Sequence, residues 1–420
     1  MHVDIAACLS MIMRLANANC NYMMKPFVKS HPPCVPRSNP VPTSNADPSI
    51  LPTAKPEEIG LSPARLRRAY DLLEHWTATD KIPAAALCVG RNGRMVEPRF
   101  FGRQRPEQAA IPLSKDALFL IASITKPVTV TAVMMLVERG ELTLEDKVAA
   151  YVPKFAQNGK QDVQIRHLMT HTSGLPDMLP NNEELRATHK PLAAFVEETC
   201  QLPLGFPPGT QVSYQSMGIA MLAEIVHQVS GITLAEFLRK EIFVLLGMSD
   251  TSLGWNPEKK GRIAGVRLSA EQQKTDWNWN KSYWLGFGAP WGGLITSPAD
   301  FARFCQMMLN DGVLGGVRIL SPASVRAMAC NQLAAMPQLP EEERRCRPWG
   351  LGWRLQWPGH SANFGDLLGP RTYGHWGATG TVCWIDPESK AFCILFTTQP
   401  QEPEGRFLAR ICNTVAAAVV

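Results

Sequence analysis

"ASITKPVTVTAVMMLVERGEL", residues 122–142, decides the reading of this chain. From Val128 to Val137 the stretch is almost entirely apolar, so it predicts a helix that is greasy around its whole circumference and therefore buried. Yet the turn before it carries a hydroxyl, Ser123, and an amine, Lys126. Taken singly, each has an ordinary explanation: serine caps helices, and lysine snorkels to the surface. Taken together they do not. An amine in the first turn of a buried helix loses hydration, which lowers its pKa from about 10.4. A neutral amine accepts a proton, and positions i and i+3 are neighbours on a helix. The helix N-terminus also favours negative charge on the serine oxygen. The pattern is that of an activated nucleophile. Pro127 removes an N–H and biases Lys126 away from helical dihedrals, so an irregular first turn is expected.

The rest of the chain narrows the possibilities. It has 420 residues, 45% of them hydrophobic, and a formal net charge of only +5. That is enough for one large core or two ordinary domains. The nearest thing to a charge block, "EEERRCR" at 341–347, alternates in sign and reads as a solvated loop, so no nucleic-acid partner is suggested. No run of eighteen apolar residues occurs, and no membrane span is expected. The N-terminal "MHVDIAACLSMIMRLANANC" lacks a basic n-region and is interrupted by Arg14, which argues against a cleaved signal. Eleven scattered cysteines, an odd number, read as small buried hydrophobes in a reducing compartment. These features favour a cytoplasmic over a periplasmic location.

Residues 1–56 are expected to form an extended or disordered leader, because prolines crowd the stretch from 25 to 56. A first helix is predicted at 62–76, with Ser62 as cap, Pro63 in the first turn, and Leu66, Ala69, Tyr70, Leu73 and Trp76 on one face. "PAAALCVGRNGRMVEPRFFG" predicts two strands around an Asn-Gly turn. "TLAE" (233–236) and "SPAD" (297–300) carry capping-box spacing ahead of helices. "GTVCWID" and "AFCILFTT" flank "PESK" as a hairpin, and a last helix is expected at about 405–418. Both ends thus offer strands and the middle offers helices. The expected fold is α+β: an antiparallel sheet flanked by helices, built from 57–122 and 341–420, with a mostly helical part, 123–340, inserted between the halves.

Residues 123–155, "SITKPVTVTAVMMLVERGELTLEDKVAAYVPKF", resemble the active-site helix of the serine β-lactamase family, in the branch holding class C β-lactamases, DD-peptidases and family VIII carboxylesterases. "IRHLMTHTSGLP" (165–176), "PPGTQVSYQSMGIAMLAEIV" (207–226), "WGGLITSPADFARFCQMMLN" (291–310), "WGLGWRL" (349–355) and "YGHWGATGTVCWIDP" (373–387) are similar too, in the family's order. The resemblance spans about 57 to 400. It implies a β-lactamase/transpeptidase-like fold and an acyl-enzyme on Ser123.

The family's Tyr-x-Asn falls on Tyr214-Gln215-Ser216. By resemblance Tyr214 would shuttle protons with Lys126, and an adjacent ammonium is expected to ease loss of the phenolic proton. Ser216 departs from the family's asparagine. It precedes a periodic helix, so substrate contact and plain capping are both open. The third family element falls on His375-Trp376-Gly377. A glycine suits a place where substrate or another backbone comes close. The resemblance implies oxyanion donors at the N–H groups of Ser123 and Ala378, each worth about 3 kcal/mol. His375, only partly charged near neutrality, is expected to orient the site. Trp376 offers apolar area where the family holds a carboxylate, which favours a short or neutral ester over a lactam. Trp284, Trp291 and Trp376 are candidates for an apolar wall.

His167 and His171 have the spacing of a zinc helix, but Leu168 stands where the glutamate is required, and no metal is expected. The hydrolase elbow Gly-x-Ser-x-Gly, P-loops and dinucleotide fingerprints are absent, so no cofactor is implied. The expectation is a serine hydrolase, preferentially a carboxylesterase. The alternatives are a class C-like β-lactamase or DD-peptidase, and a binding protein of the same fold without turnover.

Overall fold

A computed structural model describes residues 50–107, 111–356, 364–400 and 406–420. All of these lie in one compact unit, residues 44–420. Most of the proline-rich leader lies outside the described residues. Its last part, 50–56, departs from the expectation. Leu51 is buried, and the chain runs beside a strand, with Ala54 N–H donating to Met95 O at 2.8 Å and Met95 N–H to Pro52 O at 3.0 Å.

Helix α1 (Pro63–Ala78) begins where Ser62 accepts the Arg65 N–H, and it buries the five residues expected on its inner face. Strand β1 (Ala84–Arg91) follows, then β2 (Arg94–Met95) and β3 (Arg99–Gly102). The Asn92-Gly93 turn has φ 54° and 77°, the left-handed pair a tight hairpin requires. The second strand of this hairpin is broken in two. Gly90 faces Met95 but Leu87 faces Arg99, so the outer strand holds one extra residue beside Pro98, which cannot donate to the ladder.

Next come β4 (Phe119–Leu120) and a helical section. It includes α2 (Thr125–Glu138), α3 (Ile165–Met169), α4 (Asn182–Ala187) and α5 (Met217–Ser230). Strand β5 (Ser252–Leu253), α6 (Ser282–Phe287), β6 (Leu294–Thr296) and α7 (Pro298–Leu309) complete most of it. Strands β4, β6 and β5 form a small sheet that has no signal in the sequence, being two or three residues each. A short hairpin, β7 (Val313–Leu314) and β8 (Val317–Arg318), precedes α8 (Glu341–Cys346). The chain then returns to strands β9 (Arg354–Leu355), β10 (Tyr373–Gly377), β11 (Thr381–Asp386) and β12 (Ala391–Thr397), and ends in α9 (Arg406–Ala416).

The large sheet is antiparallel in the order β2-β1-β12-β11-β10-β9, with β3 also on β1. Strand alternation divides the core. Ala85, Leu87 and Val89 pack with α1 and α9, while Ala84, Ala86 and Cys88 face the core shared with α2 and α7. This explains the unbroken apolar run of β1: both of its faces are covered. From Thr125 to Leu136 every residue of α2 is buried, which the all-round apolar pattern required. Six of the eight described cysteines are buried, and all eight are free thiols.

Two local expectations need correction. "EEERRCR" is the helix α8, not a loop. Its charges sit four apart and pair along one turn, Arg345 with Glu341 at 3.1 Å and Arg347 with Glu343 at 3.7 Å. The two capping boxes are one-sided. Thr233 and Ser297 each accept the expected N–H, but Glu236 pairs with Lys240, and Asp300 accepts from the Asp250 N–H at 2.7 Å.

Candidate active site

Ser123 stands on a single 3-10 turn, Ala122–Ile124, immediately before α2, so the first turn is irregular as Pro127 requires. Hydroxyls of the β10–β11 hairpin hold the approach to it. Thr379 donates to Leu120 O at 2.7 Å and Thr381 to Ile121 O at 2.9 Å. Ala122 is held at φ 47°, a left-handed conformation costly for a residue with a Cβ. Its carbonyl accepts the Thr125 hydroxyl at 2.7 Å, and that hydroxyl in turn accepts the Leu294 N–H at 3.0 Å. The strained residue is therefore fixed from both sides, and the seryl side chain next to it projects into the cleft.

Gly377 shows why this strand needs a glycine. A Cβ there would lie 2.3 Å from Ile121 O and 3.0 Å from the Ala122 Cβ. The approaching backbone is that of the Ser123 turn itself. Gly377→Ala is expected to cost at least about 2 kcal/mol in chemical denaturation and to displace the turn. Ala378, the next residue, is exposed on the cleft wall.

Lys126 is fully buried. Its Nζ lies 3.0 Å from Ser123 Oγ, 3.1 Å from Trp291 O and 4.6 Å from the Tyr214 ring centroid. Burial lowers its pKa to about 7, against a small opposing pull from Asp177. The amine is thus a competent base at neutral pH, hydrogen-bonded to the one hydroxyl that needs one.

Tyr214 joins this pair from the helical section, just ahead of α5. Its ring packs on His171 at 4.7 Å and lies 6.1 Å from His375, and the Ser123 hydroxyl acts on its phenol to favour the ionised form. The expected direction of its pKa is reversed. Enclosure raises it well above the ordinary phenol value, and the Ser123 hydroxyl and Arg354 only partly offset that. Tyr214 therefore holds its proton at rest, and Lys126 is the group that gives one up.

His375 is also uncharged rather than partly charged. Burial, then the neighbouring Lys126 and Arg354, push it down to about 3, although its bond to the Trp376 carbonyl works the other way. Its Nδ1 lies 2.7 Å from that carbonyl and so carries the proton. Trp376 does present an indole to the cleft, but the wall is not neutral. The Arg354 guanidinium lies 3.6 Å from its ring centroid, and Arg186 and Arg347 line the same cleft.

Ser216 settles differently from plain capping. It stands at the N-cap of α5 without a capping bond, and its hydroxyl donates to Asp177 Oδ1 at 2.6 Å. It does line the cleft. Gln215, between the two motif residues, is a brace: its Nε2 donates to the carbonyls of His167 and Leu168 at 3.1 and 3.2 Å.

The histidines at 167 and 171 each have a backbone task. His167 Nδ1 accepts the Gln164 N–H at 3.1 Å, and His171 Nδ1 accepts the Gln215 N–H at 3.2 Å. His171 lies between Tyr214 and Trp349 and so fixes the phenol's position. Among the described residues no group of three or more His, Cys, Asp or Glu is placed to hold a metal.

The cleft above Ser123 encloses about 450 Å³. Trp284, Trp291 and Trp376 all line it, joined by Trp279 and Trp349. Sequence reasoning passed over Asp177, Arg186, Trp349 and Arg354, and it weighed His171 only as a metal ligand. A clue to His171 was its place in "THTSGL"; Arg186 carried none, since it sits among ordinary surface charges in "NNEELRATHK".

This constellation of buried amine, seryl hydroxyl and phenol on a helix-flanked antiparallel sheet defines a serine acyl-transfer hydrolase. The chain belongs to the β-lactamase family, whose description, "Beta-lactamase", matches residues 71–414. A protein of Escherichia coli (strain K12) named "Putative D-alanyl-D-alanine carboxypeptidase" is 25% identical over 395 residues, covering 84% of this chain and 87% of that one. The fold is also that of a penicillin-binding protein homolog from Caulobacter crescentus, with a TM-score of 0.72, 21% identity and coverage of 86% and 99%. A family VIII carboxylesterase is similar at a TM-score of 0.67, with 20% identity and coverage of 84% and 98%.

Proposed function

We propose that this chain is a carboxylesterase that hydrolyses short esters through an acyl-enzyme on Ser123. The observation that carries the reading is the fully buried Lys126 Nζ, 3.0 Å from Ser123 Oγ. Ser123 Oγ attacks the ester carbonyl as its proton passes to Lys126. The oxyanion is met by the N–H groups of Ser123 and Ala378. As the carbon–oxygen bond to the alcohol breaks, Tyr214 donates its proton to the departing oxygen and is reprotonated from the Lys126 ammonium. Water then adds to the acyl-enzyme by the reverse relay and releases the acid. Gly377 sets the strand against the nucleophile turn, and His375 and Trp376 shape the wall beside it. The cavity volume suits short acyl and alcohol groups.

The test is a chromogenic ester, p-nitrophenyl butyrate, beside a chromogenic cephalosporin. Faster ester turnover supports the reading; faster lactam opening contradicts it. The second reading, a lactam- or D-alanyl-peptide-cleaving enzyme, is favoured by the arginines in the cleft, which suit a carboxylate. The engaged Ser216 hydroxyl and the indole of Trp376 oppose it. A silent binding protein is opposed by the base and nucleophile already in contact.

The pH dependence follows from Lys126. Because the neutral amine is the reactive form, kcat/KM is expected to rise with pH through a midpoint near 7 and to fall about tenfold per unit below it. With Tyr214 raised above its ordinary range, no decline from the phenol is expected up to about pH 10. Stopped-flow or plate kinetics from pH 5 to 10 check this.

A further inference from the structure

Arg186 has no task in the chemistry above. It sits on α4 with only 8% of its surface exposed, and it lines the cleft that holds Ser123. Its guanidinium lies 4.3 Å from the Trp284 ring centroid and 5.8 Å from that of Trp277. Its one side-chain hydrogen bond among the described residues goes to a weak acceptor, Met178 Sδ, at 3.8 Å. Its Nε is buried without any hydrogen-bond partner, and among the described residues Glu183 and Asp177 act on it only through space, with no ion pair within 4.0 Å. A buried guanidinium left in this state is costly unless something completes it. Burial does lower its pKa, yet only to about 10, so it remains charged at neutral pH.

The aromatic clamp holds the planar fork in place, so little freedom is lost when it binds a partner. Asp177 stands on the same cleft wall, but its carboxylate is engaged by the Ser216 hydroxyl at 2.6 Å. Glu343 is engaged by Arg347. Asp177 and Glu183 attract Arg186 through space without forming an ion pair with it, and Arg186 presents unused donors to the cleft.

We propose that Arg186 is a substrate-binding residue that recognises a carboxylate carried by the ester substrate away from its scissile bond. The natural substrate class is then an ester of a dicarboxylic acid or of a hydroxy acid, rather than a wholly neutral ester. This rests on the esterase reading and deepens it. A carboxylate would meet the fork edge-on, supply the missing acceptors and neutralise the buried charge.

The experiment compares matched pairs. On the acyl side these are p-nitrophenyl hexanoate and mono-p-nitrophenyl adipate, which differ by a methyl against a carboxylate. On the alcohol side they are phenyl acetate and 4-carboxyphenyl acetate. Each is measured with the unaltered protein, Arg186→Gln and Arg186→Lys, with fluorophosphonate labelling of Ser123 as the check on folding. In one pair the anionic ester is expected to be preferred by about tenfold or more in kcat/KM, mainly through KM. Arg186→Gln abolishes that preference and leaves the neutral partner within about threefold, and Arg186→Lys restores part of it. Absence of preference in both pairs overturns the proposal, as does a preference that survives Arg186→Gln. A variant that no longer takes the label is replaced by Arg186→Lys alone, whose unchanged preference and KM for the anionic ester would count against it. Failure of all four esters to turn over rejects the esterase reading instead.

Discussion

Ser123→Ala is expected to lower p-nitrophenyl butyrate turnover by about 10³-fold or more while leaving the fold intact. The loss is large because, in the proposed mechanism, this hydroxyl forms the covalent bond, and no described group stands ready to replace it. Lys126 would face a methyl, and water attacking in place of the serine would lack the position that the strained Ala122 turn provides. The expected signature is a loss confined to kcat, with circular dichroism and the denaturation midpoint close to those of the parent protein. A variant that keeps a tenth of the parent rate would place the nucleophile elsewhere.

Lys126→Met is expected to cost about 10³-fold in activity by removing the base. Its effect on stability should run the other way. Burial lowers the amine's pKa from 10.5 to about 7, so the unfolded chain holds that proton more tightly than the folded one. Stability of the parent protein therefore rises with pH between about 7 and 10.5, and the full cost of burying the charge is present below 7. Methionine fills a similar volume without a charge. The stability gained by the variant should be about 3 kcal/mol larger at pH 6 than at pH 9. The lost bond to Trp291 O lowers the gain equally at both pH values. Urea denaturation of both proteins at the two pH values measures the difference. Equal gains would mean that the amine is not desolvated in the folded protein.

What could be read from the sequence was what is local. Ser123 and Lys126 are three residues apart, and their contact is made within one short turn at the start of the helix. The cap at Ser62 and the Asn92-Gly93 hairpin are likewise decided within a few residues. Contacts between distant segments were legible only where the family resemblance implied them, as for Tyr214 beside Lys126. The carbonyl that tethers Lys126 belongs to Trp291, 165 positions away. Ser216 is drawn off from capping by Asp177, 39 positions earlier. The protonation of Tyr214 could not be inferred from its neighbour Lys126, because the enclosure that sets it comes from rings at 171, 349 and 375. Local sequence placed the Ser123 hydroxyl beside the Lys126 amine; the balance of burial and charge around them is a property of the assembled cleft.

Intact mass after reaction with a fluorophosphonate, followed by peptide mapping, bears most directly on the claim that a buried amine activates Ser123. The expected result is a single adduct, located on Ser123 and absent from both Ser123→Ala and Lys126→Met. An adduct on another residue, or an unlabelled Ser123 in a protein that hydrolyses esters at full rate, would contradict it.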